Sequence, residues 1–303
     1  MAKQIKKKKS KSIKLNYKNP LLLILLTILA ILVAILIIKL TLITGYTPKV
    51  PANTAKPKTA SVEAVKKVES DTLPVQTSGY QVRVPILMYH YIGNNPDPKD
   101  LQRDVLSVTP DKFEEQMKYL VDNGYQTISL DTLYAALNKI TTLPNKPVIL
   151  TFDDGYVDFF YNAYPILLKY NLRATEFIST GLLGQGAYLN WDQIMQMNSS
   201  GLISFEAHSV HHYHLPSLSN EAILFELRES KKELEQHLGI PVNFIAYPYG
   251  SADGRIIDLV RQAGYVGALG TWPGKFQSTG TIYDMPRLRI GGGVDMKYFI
   301  SLL

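Results

Sequence analysis

Val148-Ile149-Leu150-Thr151-Phe152-Asp153-Asp154-Gly155-Tyr156 is the stretch on which the fold turns. A short apolar and β-branched run reads as a buried strand, and the glycine after the two carboxylates allows a tight turn. Two adjacent carboxylates repel each other unless a cation separates their roles, and Gly155 lets both aim into one site. Taken alone, such a turn is most often a loop or a helix cap. Outward from it, β-rich runs at Pro85–His90, 126–129, 148–152, 174–179, 202–207, 242–247 and 265–269 alternate with helical patterns. Phe113, Met117, Leu120 and Val121 mark a helix over Pro110–Asn123 with Gly124 as its stop, and Ser219 caps another running to His237 before Gly239. This alternation is the signature of an α/β domain with a mostly parallel sheet, and seven such strands suit a (β/α) barrel better than an open sheet. Chemistry in such folds gathers at the C-terminal ends of the strands.

A second strand end supplies what the first lacks. Ile203–Ala207 runs into His208-Ser209-Val210-His211-His212-Tyr213-His214, where His208 and His212 stand four apart, a spacing that suits two ligands of one divalent metal. Ser209 occupies the place of the general-base glutamate of an H-E-x-x-H protease, so the base comes from elsewhere. Asp153 and Asp154 are available, one to join the histidines and one to take a proton. A third strand end, Tyr247-Pro248-Tyr249-Gly250, can expose backbone N–H groups to a developing oxyanion. Asn190-Trp191-Asp192-Gln193 opens a helix that would pack Trp191 against the histidines.

Thr151–Gly155 together with His208-Ser209-x-x-His212 resembles the polysaccharide deacetylases with the NodB homology domain, carbohydrate esterase family 4. The resemblance spans about residues 84 to 290 and implies a distorted (β/α) barrel, a divalent metal, usually zinc, and removal of acetyl groups from N-acetylglucosamine polymers. Leu87-Met88-Tyr89-His90, Trp191-Asp192 and Tyr247–Gly250 are similar to the branch of exported poly-β-1,6-N-acetylglucosamine deacetylases. Carried over, Asp154, His208 and His212 are the metal ligands, Asp153 the base, the Tyr249 backbone N–H an oxyanion donor and His90 the acid, near its ordinary pKa of about 6.5. Tyr156, Trp191, Asp192 and Pro248 are expected to contact substrate. Two departures stand out. The family's arginine two residues before the proline of the third motif is Ala246, and no histidine follows His237 to serve as the late acid. Peptidoglycan is the alternative substrate for the same chemistry, and an idle glycan-binding protein is disfavoured because Asp153, Asp154, His208 and His212 are all retained.

The rest of the 303 residues reads as a delivery device. Residues 21–38 are apolar except Thr27 and would span roughly 27 Å as a helix; Lys39 and 40–43 extend them, giving an expected transmembrane helix over 21–43. No small-residue cleavage site follows Ile43, which favours a retained anchor over a signal peptide. Lysines 3 to 18 in the tail 1–20 place that end in the cytoplasm and the domain 80–303 outside the cell. Residues 44–79, with Pro48, Pro51, Pro57 and Pro74, read as a stalk with a reach on the order of 30 Å. Formal charge is +6, but residues 1–45 hold nine lysines and no acid, so the rest carries 23 basic and 26 acidic side chains. That balance argues against nucleic acid as a partner. The absence of cysteine excludes disulfides, thiolate metal sites, cysteine nucleophiles and a lipoprotein anchor, and suits an oxidising exterior.

Overall fold

Seven short parallel strands carry the architecture: β1 (Ile86–Tyr89), β3 (Pro147–Phe152), β4 (Ala174–Ile178), β5 (Ile203–Ala207), β6 (Phe244–Ala246), β7 (Gly267–Leu269) and β8 (Leu288–Arg289). They are hydrogen-bonded in the order β7-β6-β5-β4-β3-β1-β8, and β2 (Gln126–Thr127) joins the start of β3. This structure, a computed structural model, describes residues 79–97 and 99–303. The expected tail, membrane helix and nearly all of the stalk lie outside the described residues. Among the latter, no helix is long and apolar enough to cross a membrane.

The strand sequences are apolar on both faces because both faces are covered, as in parallel sheets generally. Along β3, Val148, Leu150 and Phe152 pack toward the helices, whereas Ile149 belongs to a second cluster with Ile86, Phe177, Phe244, Leu269 and Met285. The two-residue period of the strand thus puts Asp153 on the Ile149 side, over the concave face of a curled (β/α) half-barrel. Residues 282–289 span the gap between its edges. Met285 bridges Leu269 of β7, and three residues later Leu288 pairs with Leu87 of β1. The strand β8 had no counterpart in the sequence reading, since two residues carry no period.

Helices α1 (Leu101–Leu106), α2 (Pro110–Asp122), α3 (Leu130–Leu137), α4 (Tyr164–Tyr170), α5 (Trp191–Asn198), α6 (Asn220–Leu238), α7 (Gly254–Gln262) and α8 (Met296–Leu302) fill the connections and the C-terminus. Side chains of Thr109, Ser129, Asn190 and Ser219 accept from backbone N–H groups of the first turns of α2, α3, α5 and α6. The strand expected over 126–129 therefore stops at Thr127, because Ser129 is already a cap. Gly239, at φ 70, closes α6 in a conformation that favours glycine.

Candidate metal centre and active site

The Asp-Asp-Gly turn and the histidine loop meet at the C-terminal rim of β3 and β5. Asp154 Oδ1 lies 3.1 Å from His208 Nε2 and 3.1 Å from His212 Nε2, and the three candidate ligand atoms all lie within 4.8 Å of one another. Two ligands about 2.1 Å from one tetrahedral ion stand about 3.4 Å apart, so an Asp-His-His donor set of this size fits a divalent metal such as zinc. Burial works against the Asp154 charge, but hydrogen bonds from both histidines outweigh it and hold the carboxyl well below its ordinary range. Three non-glycine residues in left-handed conformations build the site: Asp154 at φ 81, Ser209 at φ 64 and His212 at φ 57. Such strain persists only where the surroundings fix it.

What fixes it is a set of buried partners. His208 Nδ1 is 2.8 Å from the Ala246 carbonyl, which turns Nε2 toward Asp154. Ser179 Oγ donates to the His208 carbonyl at 2.9 Å, and the His212 N–H donates to Ser209 Oγ at 3.0 Å. Glu226, buried on α6, accepts from the N–H groups of Val210 and His211 at 2.9 and 2.8 Å through one oxygen and meets His211 Nδ1 at 2.7 Å through the other. His211 and Glu226 thus orient the ligand loop without joining the donor set. Glu226→Ala is expected to weaken zinc binding about 10- to 100-fold, the usual scale for losing a group that orients metal ligands, measured by competition with a chromophoric chelator.

Asp153 is arranged for a different task. The Arg287 guanidinium clasps it twice, Nη1 to Oδ1 at 2.7 Å and Nη2 to Oδ2 at 2.8 Å. Arg287 is fully buried and also donates to the Gly270 carbonyl at 2.8 Å. Burial alone would raise the Asp153 pKa, yet the charge and hydrogen bonds of Arg287 bring it below the ordinary value. Asp153 is therefore an oriented, ionised carboxylate beside the candidate metal ligands.

Both groups open into one cleft of about 540 Å³, whose lining includes His90, Asp153, Asp154, His208, His212 and Tyr249. His90 follows β1 directly. Burial lowers its pKa, the carboxylates of Asp153 and Asp154 offset part of that, and Arg287 and Arg289 push it down again. The expectation of an ordinary pKa is thereby corrected. Its Nδ1 is buried and has no hydrogen-bond partner among the described residues. Tyr249, at φ 62, follows the buried Pro248 in a 3-10 turn and presents an exposed ring 4.7 Å from that of His212.

Comparison with known proteins agrees with this geometry. The sequence profile described as polysaccharide deacetylase matches residues 141–268. A Bacillus subtilis (strain 168) protein, YxkH, whose name places it among polysaccharide deacetylases, is 31% identical over 83% of this chain and 87% of its own. The chain belongs to the polysaccharide deacetylase family. This deacetylase is also 33% identical to the poly-β-1,6-N-acetyl-D-glucosamine N-deacetylase of Staphylococcus aureus (strain MSSA476), over 52% of this chain and 59% of that one. The solved structure of the Streptococcus pyogenes deacetylase PplD in complex with acetate superposes with a TM-score of 0.69 at 32% identity, covering 74% of this chain and 99% of that one.

Within the deacetylase, several expected site residues land elsewhere. Trp191 does not pack on the metal histidines. Its ring stacks on His237 of α6 at 3.7 Å and 4°, because the Asn190–Gln193 capping box starts α5 in the helical layer. Asp192 is exposed in the first turn of α5, outside the cleft. Pro248 shapes the turn that carries Tyr249 but does not itself line the cleft, whereas Tyr156 does. The arginine missing at Ala246 has a replacement from 41 positions later in the chain, Arg287. The two arginines set among the apolar residues of Met285–Ile290 were the available signal, as was a glutamate at 226 on the same helix face as Ile223, Leu227 and Leu234.

Proposed function

We propose that this deacetylase removes acetyl groups from N-acetylglucosamine polymers, poly-β-1,6-N-acetylglucosamine before peptidoglycan, using zinc held by Asp154, His208 and His212. The observation that carries this reading is one cleft holding an Asp-His-His donor set beside a separately clasped, ionised Asp153. The name of the staphylococcal relative supports the choice of polymer. A divalent ion at this donor set supplies Lewis-acid polarisation of the acetamide carbonyl and activation of water. Asp153 takes the water proton, with Arg287 holding both of its oxygens in place. The Tyr249 backbone N–H is assigned to the developing oxyanion. His90 delivers a proton to the departing amine, and burial, the largest influence on it, makes that proton easier to give up by lowering its pKa.

The apolar segment 21–43 and the lysines before it support an anchored domain working outside the cell. Acetate release from β-1,6- and β-1,4-linked N-acetylglucosamine oligomers tests the polymer assignment. Turnover of the β-1,6 series is expected, and turnover of peptidoglycan fragments alone reverses the preference. In the same assay His90→Ala is expected to keep its bound metal and lose turnover by roughly a hundredfold, the scale for removing an acid catalyst. Near-normal turnover in that variant would remove His90 from the mechanism.

A further inference from the structure

Two arginines of the cleft, Arg103 and Arg289, hold none of the reacting groups in this chemistry. Arg289 is exposed at the end of β8, and its guanidinium makes no hydrogen bond or ion pair among the described residues, although the arginine two positions earlier is fully engaged. Its strand position pairs with Met88, two residues before His90, so it stands at the rim where the amine departs. Arg103 of α1 lines the same cleft. Its guanidinium lies 4.1 Å over the Tyr91 ring, and its Nε is buried without a hydrogen-bond partner. Tyr91 in turn stacks on Tyr156 at 3.9 Å, which props that guanidinium against the wall. The acidic groups that line the cleft are otherwise occupied. Asp153 is neutralised by Arg287, Asp154 belongs to the metal set, and Asp100 uses Oδ1 to cap α1 through the Arg103 N–H. Asp158, which does not line the cleft, feels the Arg103 charge without forming an ion pair with it.

Residues 80–303 carry 18 basic and 23 acidic side chains, a net −5, yet two arginines that form no ion pair with a carboxylate among the described residues line the reaction cleft. A neutral N-acetylglucosamine homopolymer gives them nothing to pair with, and the cationic amine released by the reaction is repelled by them. Guanidinium groups are suited to oxyanions such as phosphate and carboxylate, which they bind through paired N–H donors.

We propose that Arg103 and Arg289 form a subsite for an anionic group carried on the glycan next to the reacting N-acetylglucosamine, so that the preferred substrate is an acidic N-acetylglucosamine polymer. This rests on the deacetylase reading above and narrows its substrate class. Recognition is by charge on the chain, supplied either by a phosphate ester or by a carboxylate.

The test compares three substrates of the zinc-loaded protein: a neutral β-1,6-linked N-acetylglucosamine tetramer, the same tetramer bearing a phosphate ester on its terminal sugar, and the tetramer bearing a succinyl ester there. The phosphorylated tetramer is expected to show kcat/KM about tenfold above the neutral one at low salt, the advantage shrinking as salt screens the arginines. A similar gain for the succinylated tetramer identifies charge as the feature read, and a gain confined to phosphate narrows the ligand to a phosphate ester. In Arg289→Gln and Arg103→Gln the ratio of anionic to neutral kcat/KM is expected to fall toward one, while Arg289→Lys keeps most of it. Calorimetric binding of the phosphorylated tetramer to metal-free protein gives a readout independent of turnover and is expected to weaken in both glutamine variants. Turnover of the neutral tetramer without any anionic advantage overturns the subsite and leaves the deacetylase reading intact. Acetate release from none of the three overturns the reading itself, and the subsite with it.

Discussion

The Asp153→Asn protein is expected to bind zinc like its parent, to release acetate about 10²- to 10⁴-fold more slowly, and to unfold more readily. The first two effects follow from the division of labour between the adjacent carboxylates, since only Asp154 faces both histidines. The third follows from Arg287, which is fully buried and has its charge answered by Asp153. Removing one partner of a buried pair leaves the other uncompensated, at a cost of about 3–5 kcal/mol. The double variant Asp153→Asn with Arg287→Met is therefore expected to regain much of the lost stability in urea unfolding, without regaining turnover. If the double variant stays as unstable as the single, the clasp is not the source of the loss.

Arg287→Met alone is expected to be the second severe change, with an effect whose direction depends on pH. In the parent, the folded-state pKa of Asp153 lies below its ordinary value, so the pair contributes stability above the unfolded pKa of about 3.9 and loses it as pH falls through the folded value. Without Arg287, burial, the largest influence, is opposed only by His208 and His90 and raises that pKa. The sign then reverses, and the variant is expected to lose stability as pH rises from acid toward neutral. Its acidic activity limb should move to higher pH, because a base with a raised pKa stays protonated longer. Unfolding curves and kcat/KM profiles between pH 4 and 8 check both statements. A limb that does not move would mean that Arg287 does not act on the base.

Where the candidate ligands lie in contiguous motifs at strand ends, their convergence was legible in the sequence. Asp153 and Asp154 close a strand whose apolar run is visible in one dimension, and His208 and His212 follow another, so their meeting at one rim follows from parallel strands with a common C-terminal edge. Their division of labour came from the family resemblance, and the structure adds its physical basis: Asp154 sits between the histidines while Asp153 is turned to Arg287. Arg287 escaped because the relationship is long-range. It reaches Asp153 across 134 positions, from a segment that bonds β7 at one end and β1 at the other. Trp191 misled for the opposite reason, since an aromatic side chain beside a polar loop says nothing about which face of the coming helix receives it. Glu226 is a charge within a buried helix stripe, and its partners are backbone N–H groups, which leave no trace in sequence.

Deacetylation is expected to depend on an ion held by Asp154, His208 and His212. The most direct measurement is acetate release from the β-1,6-linked tetramer by protein stripped with chelator, assayed before and after stoichiometric zinc, with Asp154→Ala beside it. Stripped protein is expected to be inactive and to recover with one equivalent of zinc, while Asp154→Ala binds zinc poorly and does not recover. Full turnover by protein shown to be metal-free by elemental analysis would contradict the account.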